Sequence, residues 1–433
     1  MSEKVSLNEA ATYLGVTKQT LRNWDKSGRL KSKRNPGNRY RFYEFDDLQR
    51  VKEDVAVYKT KTEETPERNP QPPPIRTPID EQAIRQTISK LHNVIRDSYP
   101  NSSIVERFDE LAKILFLRAL SEKALVQSDI FTQLLESTGA YAKKIRSAYN
   151  EACDQFSEVV PKQFCSLKLS DSSIEQCGRL LEQLPVVGGS LDLKGLAFEE
   201  VVRNTFEKGD NQQFFTPNSV TEFVVQMLGD KIKGIVADPA SGTGGFLVEI
   251  LKQGLAAQKL SGFEIDHRLA WITGINLLVH GSNNFEVRTL DGAGTLDPSA
   301  SKFAKCFDVI LTNPPFGSDL SDKLSLDALE LGKGCASRRR GILFIERCLE
   351  MLKPNGHLAI VIDEGVLSLP SASDVREFLL KKYQIEAIVS LPESAFLPYA
   401  NVNTSILFSK NSRPKEHHLT FFAKSENVGR KAN

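Results

Sequence analysis

The residues with the clearest chemical potential form the stretch Asn313-Pro314-Pro315-Phe316, which directly follows an apolar run at 307–311 that predicts a β-strand. Open α/β sheets bind ligands at the carboxyl ends of their strands, and prolines hold the backbone rigid there. The exocyclic amine of a nucleobase is a poor nucleophile, because its lone pair is delocalised into the ring. The Asn313 side-chain carbonyl and the Pro314 main-chain carbonyl could each accept one N–H of such an amine, while Phe316 stacks on the base. This stretch therefore predicts methyl transfer to a base that has left the duplex, and the alternative interpretation is a plain turn.

A second stretch of chemical interest lies at 234–250, where a short apolar strand leads into a glycine-rich turn and then a helix. The glycines let the backbone turn sharply and approach a ligand. The start of the helix offers free N–H groups and a positive dipole end to a carboxylate. Phosphate loops and dinucleotide sites use similar turns, but a phosphate loop needs Lys followed by Ser or Thr. None follows here, which argues against ATP.

Two further acids narrow the choice of ligand. Glu264 ends a strand-like run about twenty residues past the glycines, where an acid typically binds a ribose diol. Asp291 follows a third strand and could accept a hydrogen bond from an adenine amino group. With Asp238 for an ammonium group and the helix start for a carboxylate, this set fits S-adenosylmethionine better than NAD. The alternative is that Glu264 and Asp291 are surface acids at strand ends.

The elements that position these residues follow from the rhythm of apolar runs. Strand candidates alternate with helical stretches, which predicts a doubly wound α/β sheet in a catalytic domain at 206–425. Those candidates lie at 234–238, 260–264, 285–288, 307–311, 357–362, 385–390 and 404–409. Apolar residues at helical spacing predict an all-helical domain at 81–205. Prolines among charged residues predict a semi-rigid linker at 59–80.

Residues 1–58 predict a small winged helix-turn-helix domain. Helices are expected at 5–14 and 18–26, around a Gly-Val turn, with an alternating strand at 38–43. Between positions 18 and 41 there are nine basic residues and one acid, although the net charge of the whole chain is only +1. Such a local basic face suits phosphate contacts.

This unit resembles the MerR and excisionase group of DNA-binding domains, in which the second helix enters the major groove and the wing touches the DNA backbone. The resemblance implies DNA-binding residues on the second helix and the wing. They are Thr17, Lys18, Gln19, Arg22, Asn23, Arg39 and Arg41. The alternatives are a solvated charged face over an apolar core and a protein-docking module.

The composition sets broad limits on the class of protein. A chain of 433 residues with 40% apolar and 26% charged residues is typical of a soluble globular protein of about three domains. Its six cysteines are scattered without His-rich neighbours, which argues against a disulfide framework and against a zinc site. No apolar run reaches the roughly 18 residues of a membrane span, and the polar start is not a signal peptide. We therefore expect a cytoplasmic protein that contacts no membrane.

The motifs at 238–245 and 313–316 together resemble those of the N6-adenine DNA methyltransferases. More narrowly, Gln213-Phe214-Phe215-Thr216-Pro217, Leu391–Phe396 and Asn403–Phe408 are similar to the modification subunit of type I restriction-modification systems, over about residues 84 to 410. The resemblance implies an α/β fold: a doubly wound S-adenosylmethionine-dependent methyltransferase sheet with a final antiparallel strand, preceded by the helical domain, which helps to hold DNA. It also implies that Phe214–Pro217 closes over the methyl donor.

Residue chemistry and resemblance together define the expected site. The catalytic residues are Asn313, Pro314, Pro315 and Phe316. The cofactor-binding residues are Phe214, Phe215, Thr216, Pro217, Asp238, Ala240, Ser241, Gly242, Thr243, Gly244, Glu264 and Asp291, and no metal is expected.

The sequence departs from the family's pattern in several places. The helix-turn-helix domain and its linker are additions, and Asp363-Glu364-Gly365 stands where the family often has a proline before its glycine. Ser337–Arg340 is either a phosphate contact or a solvated loop. The chain ends about twenty-five residues after its last predicted strand, so we expect no target-recognition domain. In the type I family that task belongs to a separate specificity subunit.

Three hypotheses about function remain open at this stage. The first is an adenine N6-methyltransferase subunit that acts on double-stranded DNA with a specificity subunit, and with a restriction subunit as a further partner. The second is a solitary methylase directed by its own helix-turn-helix domain. The third is a non-catalytic regulator that senses S-adenosylmethionine, and the intact 313–316 motif argues against it. A methylase of protein glutamine shares the Asn-Pro-Pro chemistry, but the helical domain and Phe-Phe-Thr-Pro favour DNA.

Overall fold

A computed structural model of the protein describes residues 4–6, 10, 25, 30–34, 41–44, 48, 81–99, 101–122, 131, 138–182, 216–396 and 402–427. The chain divides into two compact units, residues 1–77 and residues 78–433.

The described part of the first unit is a small antiparallel sheet in the order β1-β3-β2. Its strands are β1 (Lys4–Ser6), β2 (Lys33–Arg34) and β3 (Arg41–Glu44). Part of the strand expected at 38–43 is present as β3, from residue 41 onward, and the winged arrangement stays a prediction. The expected helix at 5–14 is wrong at its start, because Val5 pairs with Tyr43 in the sheet. A β-branched residue beside an open strand edge favours the extended backbone over the first turn of a helix.

Most of the predicted DNA-binding residues lie outside the described residues. These are Thr17, Lys18, Gln19, Arg22, Asn23 and Arg39. Arg41 is the first residue of β3, and the structure describes its backbone alone.

The second unit begins with helices, as the apolar spacing predicts. They are α1 (Glu81–Ser98), α2 (Ile104–Glu122), α3 (Thr138–Gln155) and α4 (Asp171–Glu182), with a short 3₁₀ turn at Lys162–Phe164.

The sheet region follows, with helices between most of its strands. Its strands are β4 (Gly234–Asp238), β5 (Ala257–Glu264), β6 (Phe285–Thr289), β7 (Phe307–Thr312), β8 (Asp319–Leu320), β9 (Arg338–Arg339), β10 (Leu352–Asp363), β11 (Gln384–Ser390), β12 (Thr404–Lys410) and β13 (Phe421–Lys424). Its helices are α5 (Asn218–Leu228), α6 (Gly245–Lys252), α7 (His267–Val279), α8 (Lys323–Asp327), α9 (Arg340–Met351), α10 (Gly365–Ser368) and α11 (Ser373–Lys382).

Within the described residues, eight strands form one sheet in the order β13-β11-β12-β10-β7-β4-β5-β6, and β8 pairs with β9 separately. In the eight-stranded sheet, β12 runs antiparallel to both of its neighbours, and the other pairs of that sheet are parallel. All the strand candidates of the sequence are confirmed. The prediction that 404–409 is the last strand is wrong, because β13 follows it and pairs with β11. Phe421 and Phe422 on this edge strand are exposed, so no burial alternation marked it in the sequence.

The two faces of the sheet bury alternate residues of each strand. Ile310 packs into the core on the side of α9 and α11, whereas its neighbours Val309 and Leu311 pack against α5 and α6. The doubly wound architecture is thereby confirmed, and the nearly continuous apolar runs of β7 and β10 reflect burial on both faces.

Helix α7 belongs to two layers at once, because it also contributes to the core of α1–α4. Trp271 stacks on Phe164 with ring centroids 4.4 Å apart, and Ile272 and Ile275 are fully buried in the same core. Arg268 donates from Nε to Asp109 Oδ1 at 2.7 Å, at the start of the helix. The helical region is therefore packed directly on an element of the sheet region.

Candidate active site

The two predicted motifs meet where the strand order of the sheet reverses. From β4 the chain builds β5 and β6 on one side and β7 and β10 on the other. Asp238 and Thr312 are the last residues of β4 and β7, and Thr312 Oγ1 donates to Asp238 Oδ1 at 2.7 Å. The crevice outside such a switch point is where open α/β sheets bind ligands.

The glycine loop between β4 and α6 takes backbone conformations that favour glycine. Gly242 has φ +54° and Gly244 has φ +86°, the latter as N-cap of α6. A Cβ on Gly244 would lie 3.0 Å from Thr273 Cγ2, whereas a Cβ on Gly242 would meet no described atom within 4 Å. Glycine at 244 thus allows close packing on α7, while Gly242 faces space that a ligand could enter.

Three side chains hold the main chain of this loop. Thr273 Oγ1 donates to the Gly242 carbonyl at 2.7 Å, and Asn276 Nδ2 donates to the Thr243 carbonyl at 2.8 Å. Glu264 Oε2 accepts the N–H of Gly242 at 2.9 Å. The sequence interpretation missed Thr273 and Asn276. The available signal was two polar residues three positions apart in a helix that is otherwise almost entirely apolar.

The two acids expected to bind ribose and adenine differ in their surroundings. Glu264 Oε1 also accepts the N–H groups of Ile265 and Asp266, at 2.9 and 3.1 Å. Its burial raises the pKa of the carboxyl, and these main-chain hydrogen bonds oppose that shift. Asp291 is exposed just beyond β6. A ribose role for Glu264 and an adenine role for Asp291 stay predictions.

Asp238 is the most deeply buried acid of the site, with 2% of its surface exposed. The N–H of Ala240 donates to its Oδ1 at 3.1 Å, next to the bond from Thr312. Burial raises the pKa of this carboxyl to about 7, although both hydrogen bonds act in the opposite direction. A cationic group beside it would favour the ionised carboxylate.

Asn313 presents an unused acceptor. Its Nδ2 donates to Thr216 Oγ1 at 3.0 Å, while its Oδ1 is buried and accepts no hydrogen bond from any described residue. Buried acceptors are normally satisfied, so a free carbonyl oxygen next to the ligand crevice is a departure that points to a missing donor. The hydroxyl of Thr216 orients the amide so that this oxygen stays available.

A cavity of about 220 Å³ lies at the carboxyl ends of β7 and β10, and its lining begins at Pro314, the residue after Asn313. It is lined by Pro314, Pro315 and Phe316 on one side and by β9 and the segment 361–372 on others. The ring of Phe316 is 9% exposed and contacts Phe396 edge to face, with centroids 5.5 Å apart. A cavity of about 150 Å³ can hold one benzene ring, so a single base is a plausible occupant in size. Stacking of Phe316 on a base stays a prediction.

The remaining expected site residues take several places. Phe214 and Phe215 lie outside the described residues, Thr216 contacts Asn313, and Pro217 is the N-cap of α5. The N–H of Ser241 donates to the Phe263 carbonyl at 2.9 Å.

Two further classes of feature bear on the site and its surroundings. All six cysteines lie within the described residues and are free thiols. In the part of the chain that the structure describes, no group of His, Cys, Asp and Glu has the arrangement of a metal site, and no helix is long and apolar enough to span a bilayer.

Comparison with known proteins gives a consistent picture. Residues 189–433 match the family model of N-6 DNA methylases, and residues 5–53 match that of MerR HTH family regulatory proteins. The methylase subunit of the type I restriction enzyme EcoEI of Escherichia coli is 29% identical over 236 residues, which are 51% of this chain and 47% of that protein. The EcoKI methylase subunit of Escherichia coli K12 is 27% identical over 49% of this chain and 44% of its own length. The chain thus spans about half the length of these relatives.

Among solved structures, the methyltransferase subunit of a type I restriction-modification system from Streptococcus thermophilus has a similar fold. Its TM-score is 0.64 at 18% identity, covering 79% of this chain and 87% of that one.

Proposed function

Because this chain belongs to the N-6 DNA methylase family, we propose that it transfers a methyl group from S-adenosylmethionine to the N6 amine of an adenine in DNA. The observation that carries the proposal is the buried Oδ1 of Asn313, which has no donor among the described residues and belongs to the residue directly before the lining of a cavity large enough for a base. An acceptor without a donor suits a substrate that brings an N–H of its own.

The residues around β4 fit S-adenosylmethionine, whose sulfonium centre supplies the methyl group when it is bound. Asp238 would hold the amino group, since a buried carboxyl with a raised pKa is stabilised in its ionised form by a cation. The first turn of α6 would hold the carboxylate, Glu264 the ribose and Asp291 the adenine. Open space at Gly242 supports this placement.

The adenine amine would be activated by hydrogen-bond acceptance. Asn313 Oδ1 and the carbonyl of Pro314 would each accept one N–H, which favours a pyramidal nitrogen with its lone pair free for attack. Thr216 keeps the amide of Asn313 in the required orientation, and Phe316 would contact the base from the side of the cavity. The base must leave the duplex to reach this position.

Target choice and assembly belong to the same proposal. We infer that double-stranded DNA is the substrate, that a specificity subunit selects the target, and that a restriction subunit can join the assembly, as in the type I systems that the relatives' names describe. We further propose domain limits at 1–58, 59–80, 81–205 and 206–425 and a cytoplasmic location. A second candidate is a solitary adenine methylase directed by the N-terminal region, which the MerR-like match at 5–53 favours.

The test combines the chain with a type I specificity subunit and labelled S-adenosylmethionine. We expect label on adenine N6, and we expect Asn313→Ala to lower turnover roughly 100-fold or more, by analogy with loss of one transition-state hydrogen bond. Cofactor affinity, measured by calorimetry, should stay unchanged because Asn313 lies outside the glycine loop. Label on cytosine or on protein would overturn the proposal, and methylation at a defined site by the chain alone would select the second candidate.

A further inference from the structure

Two ion pairs involve arginines that line the cavity beginning at Pro314. On one wall lies β9, with Arg338 and Arg339, and both arginines line the cavity. Arg339 Nη1 contacts Asp363 Oδ2 at 3.0 Å, at the end of β10, and Arg338 Nη2 contacts Asp374 Oδ2 at 2.5 Å, in the first turn of α11. Neither pair is used in the chemistry proposed above.

Each of these pairs has one exposed partner. The side chains of Arg339 and Asp363 are 54% and 27% exposed, and those of Arg338 and Asp374 are 16% and 52% exposed. A partly exposed ion pair contributes little to stability, so an anion can compete with the carboxylates from the exposed side of each pair. Arg338 also keeps a buried Nε that meets no acceptor among the described residues, so this guanidinium has donor capacity beyond its pair with Asp374.

The carboxylate of Asp363 is also held by the main chain, independently of its ion pair with Arg339. Asp363 Oδ1 accepts the N–H of Gly365 at 2.7 Å, so the carboxylate stays attached to the backbone that follows β10. Movement of Arg339 away from Oδ2 thus need not disturb the wall of the cavity. Arg338 and Arg339 lie on the two-residue strand β9, and each reaches its carboxylate through a long side chain with several rotatable bonds.

A base inside the cavity would leave its two flanking phosphates at the cavity's entrance. We propose, on the basis of the function above, that Arg338 and Arg339 bind the phosphates on either side of the flipped adenosine. In the free protein these arginines form ion pairs with Asp374 and Asp363 instead. Guanidinium groups bind phosphate through paired hydrogen bonds, which a lone carboxylate contact at the surface does not match. The substrate class is therefore a nucleotide within a strand, rather than a free nucleoside.

The experiment uses the full chain and a single-stranded oligonucleotide of thymidines with one central 2-aminopurine, whose fluorescence reports entry of the base into the cavity. Affinity is measured across a salt series. We expect Arg339→Ala and Arg338→Ala to weaken binding roughly tenfold and to lower the slope of log affinity against log salt by about 0.7 unit each, the value for one phosphate contact on a single strand. We expect Asp374→Asn and Asp363→Asn to strengthen binding about threefold, because they release the arginines.

Matched controls separate this effect from general charge. Arg413→Ala removes an exposed arginine that follows β12 at the end of the sheet away from the cavity, where Lys410 pairs with His357, and it should change little. Glu377→Gln removes an exposed acid from α11 and should not reproduce the gain from Asp374→Asn. Unchanged affinity for S-adenosylmethionine confirms that each variant is folded.

The outcomes distinguish this proposal from the function on which it rests. Arginine variants that bind like Arg413→Ala, or aspartate variants that bind more weakly than the wild type, would show that the ion pairs only hold the fold. Failure of the wild type to prefer the 2-aminopurine strand over plain thymidine would instead show that the cavity takes no base. In that case the labelled transfer to adenine should fail as well.

Discussion

At the scale of single residues, Asp238 is expected both to bind the amino group of the cofactor and to make that binding depend on pH. Its place at the end of β4 was predicted from an apolar run followed by a glycine-rich turn, because that pattern is local. The burial of Asp238 and its hydrogen bond to Thr312 were not predicted, because Thr312 lies 74 positions away and only the strand order brings the two residues together. The same holds for Thr216 and Asn313, which are 97 positions apart.

The raised pKa of Asp238 predicts how cofactor binding depends on pH. The carboxyl is neutral below about pH 7 instead of below its ordinary 3.8, so an amino group loses its anionic partner as the pH falls. We expect affinity for S-adenosylmethionine to drop about tenfold from pH 8 to pH 6, which follows from a single titrating group. In Asp238→Asn, binding should be weaker and nearly independent of pH over this interval. Calorimetry on both proteins in the same buffers provides the comparison.

Stability should respond to pH with the opposite sign. A carboxyl with a raised folded-state pKa holds its proton more tightly in the folded protein, so its stabilising contribution is present at low pH and is lost as the pH rises through about 7. Thermal unfolding of the unliganded protein, compared with Asp238→Asn, measures this contribution. A wild-type affinity that stays flat while stability follows this course would contradict the role of Asp238 in binding the cofactor.

At the scale of elements, α7 connects the cofactor loop with the helical region. One side supports the loop through Thr273 and Asn276, and the other contributes Trp271 and Ile275 to the core of α1–α4. The sequence predicted a helix here but not its two roles, because a helix that is buried almost all round has no amphipathic pattern to orient it. Edge strand β13 was missed because its residues are mostly exposed, and an exposed strand has no alternation of apolar and polar residues in the sequence.

The support from α7 gives a prediction about affinity. Thr273→Val keeps the shape of the side chain but removes the hydroxyl that donates to Gly242, so we expect cofactor binding to weaken roughly threefold to tenfold. Thr273→Ser restores the hydroxyl and should recover most of the affinity. The measurement is calorimetric titration, with the melting temperature of each variant as control. Loss of affinity in Thr273→Ser together with wild-type affinity in Thr273→Val would mean that packing of the methyl group on Gly244, rather than the hydrogen bond, matters.

At the scale of the whole molecule, the residues proposed to bind the cofactor and the base and the MerR-like region belong to different units. Every described residue proposed to bind the cofactor or the base lies within 78–433, and the match to MerR proteins lies within 5–53. The sequence signalled this division through its proline-rich segment and through the concentration of basic residues at 18–41. A cluster of basic residues within a chain whose net charge is close to zero is typical of a module that contacts nucleic acid.

This division predicts separable functions, which a chain shortened to residues 78–433 can test. We expect its affinity for S-adenosylmethionine to lie within about twofold of the full chain, since all described residues proposed for the cofactor are retained. Its affinity for duplex DNA should fall, and the slope of log affinity against log salt should drop by several units, because each lost phosphate contact removes about one. Fluorescence anisotropy with a labelled duplex over a salt series measures both quantities. An unchanged slope would assign residues 1–77 to protein docking instead. In that case the shortened chain should still contact DNA but should no longer form a complex with the specificity subunit.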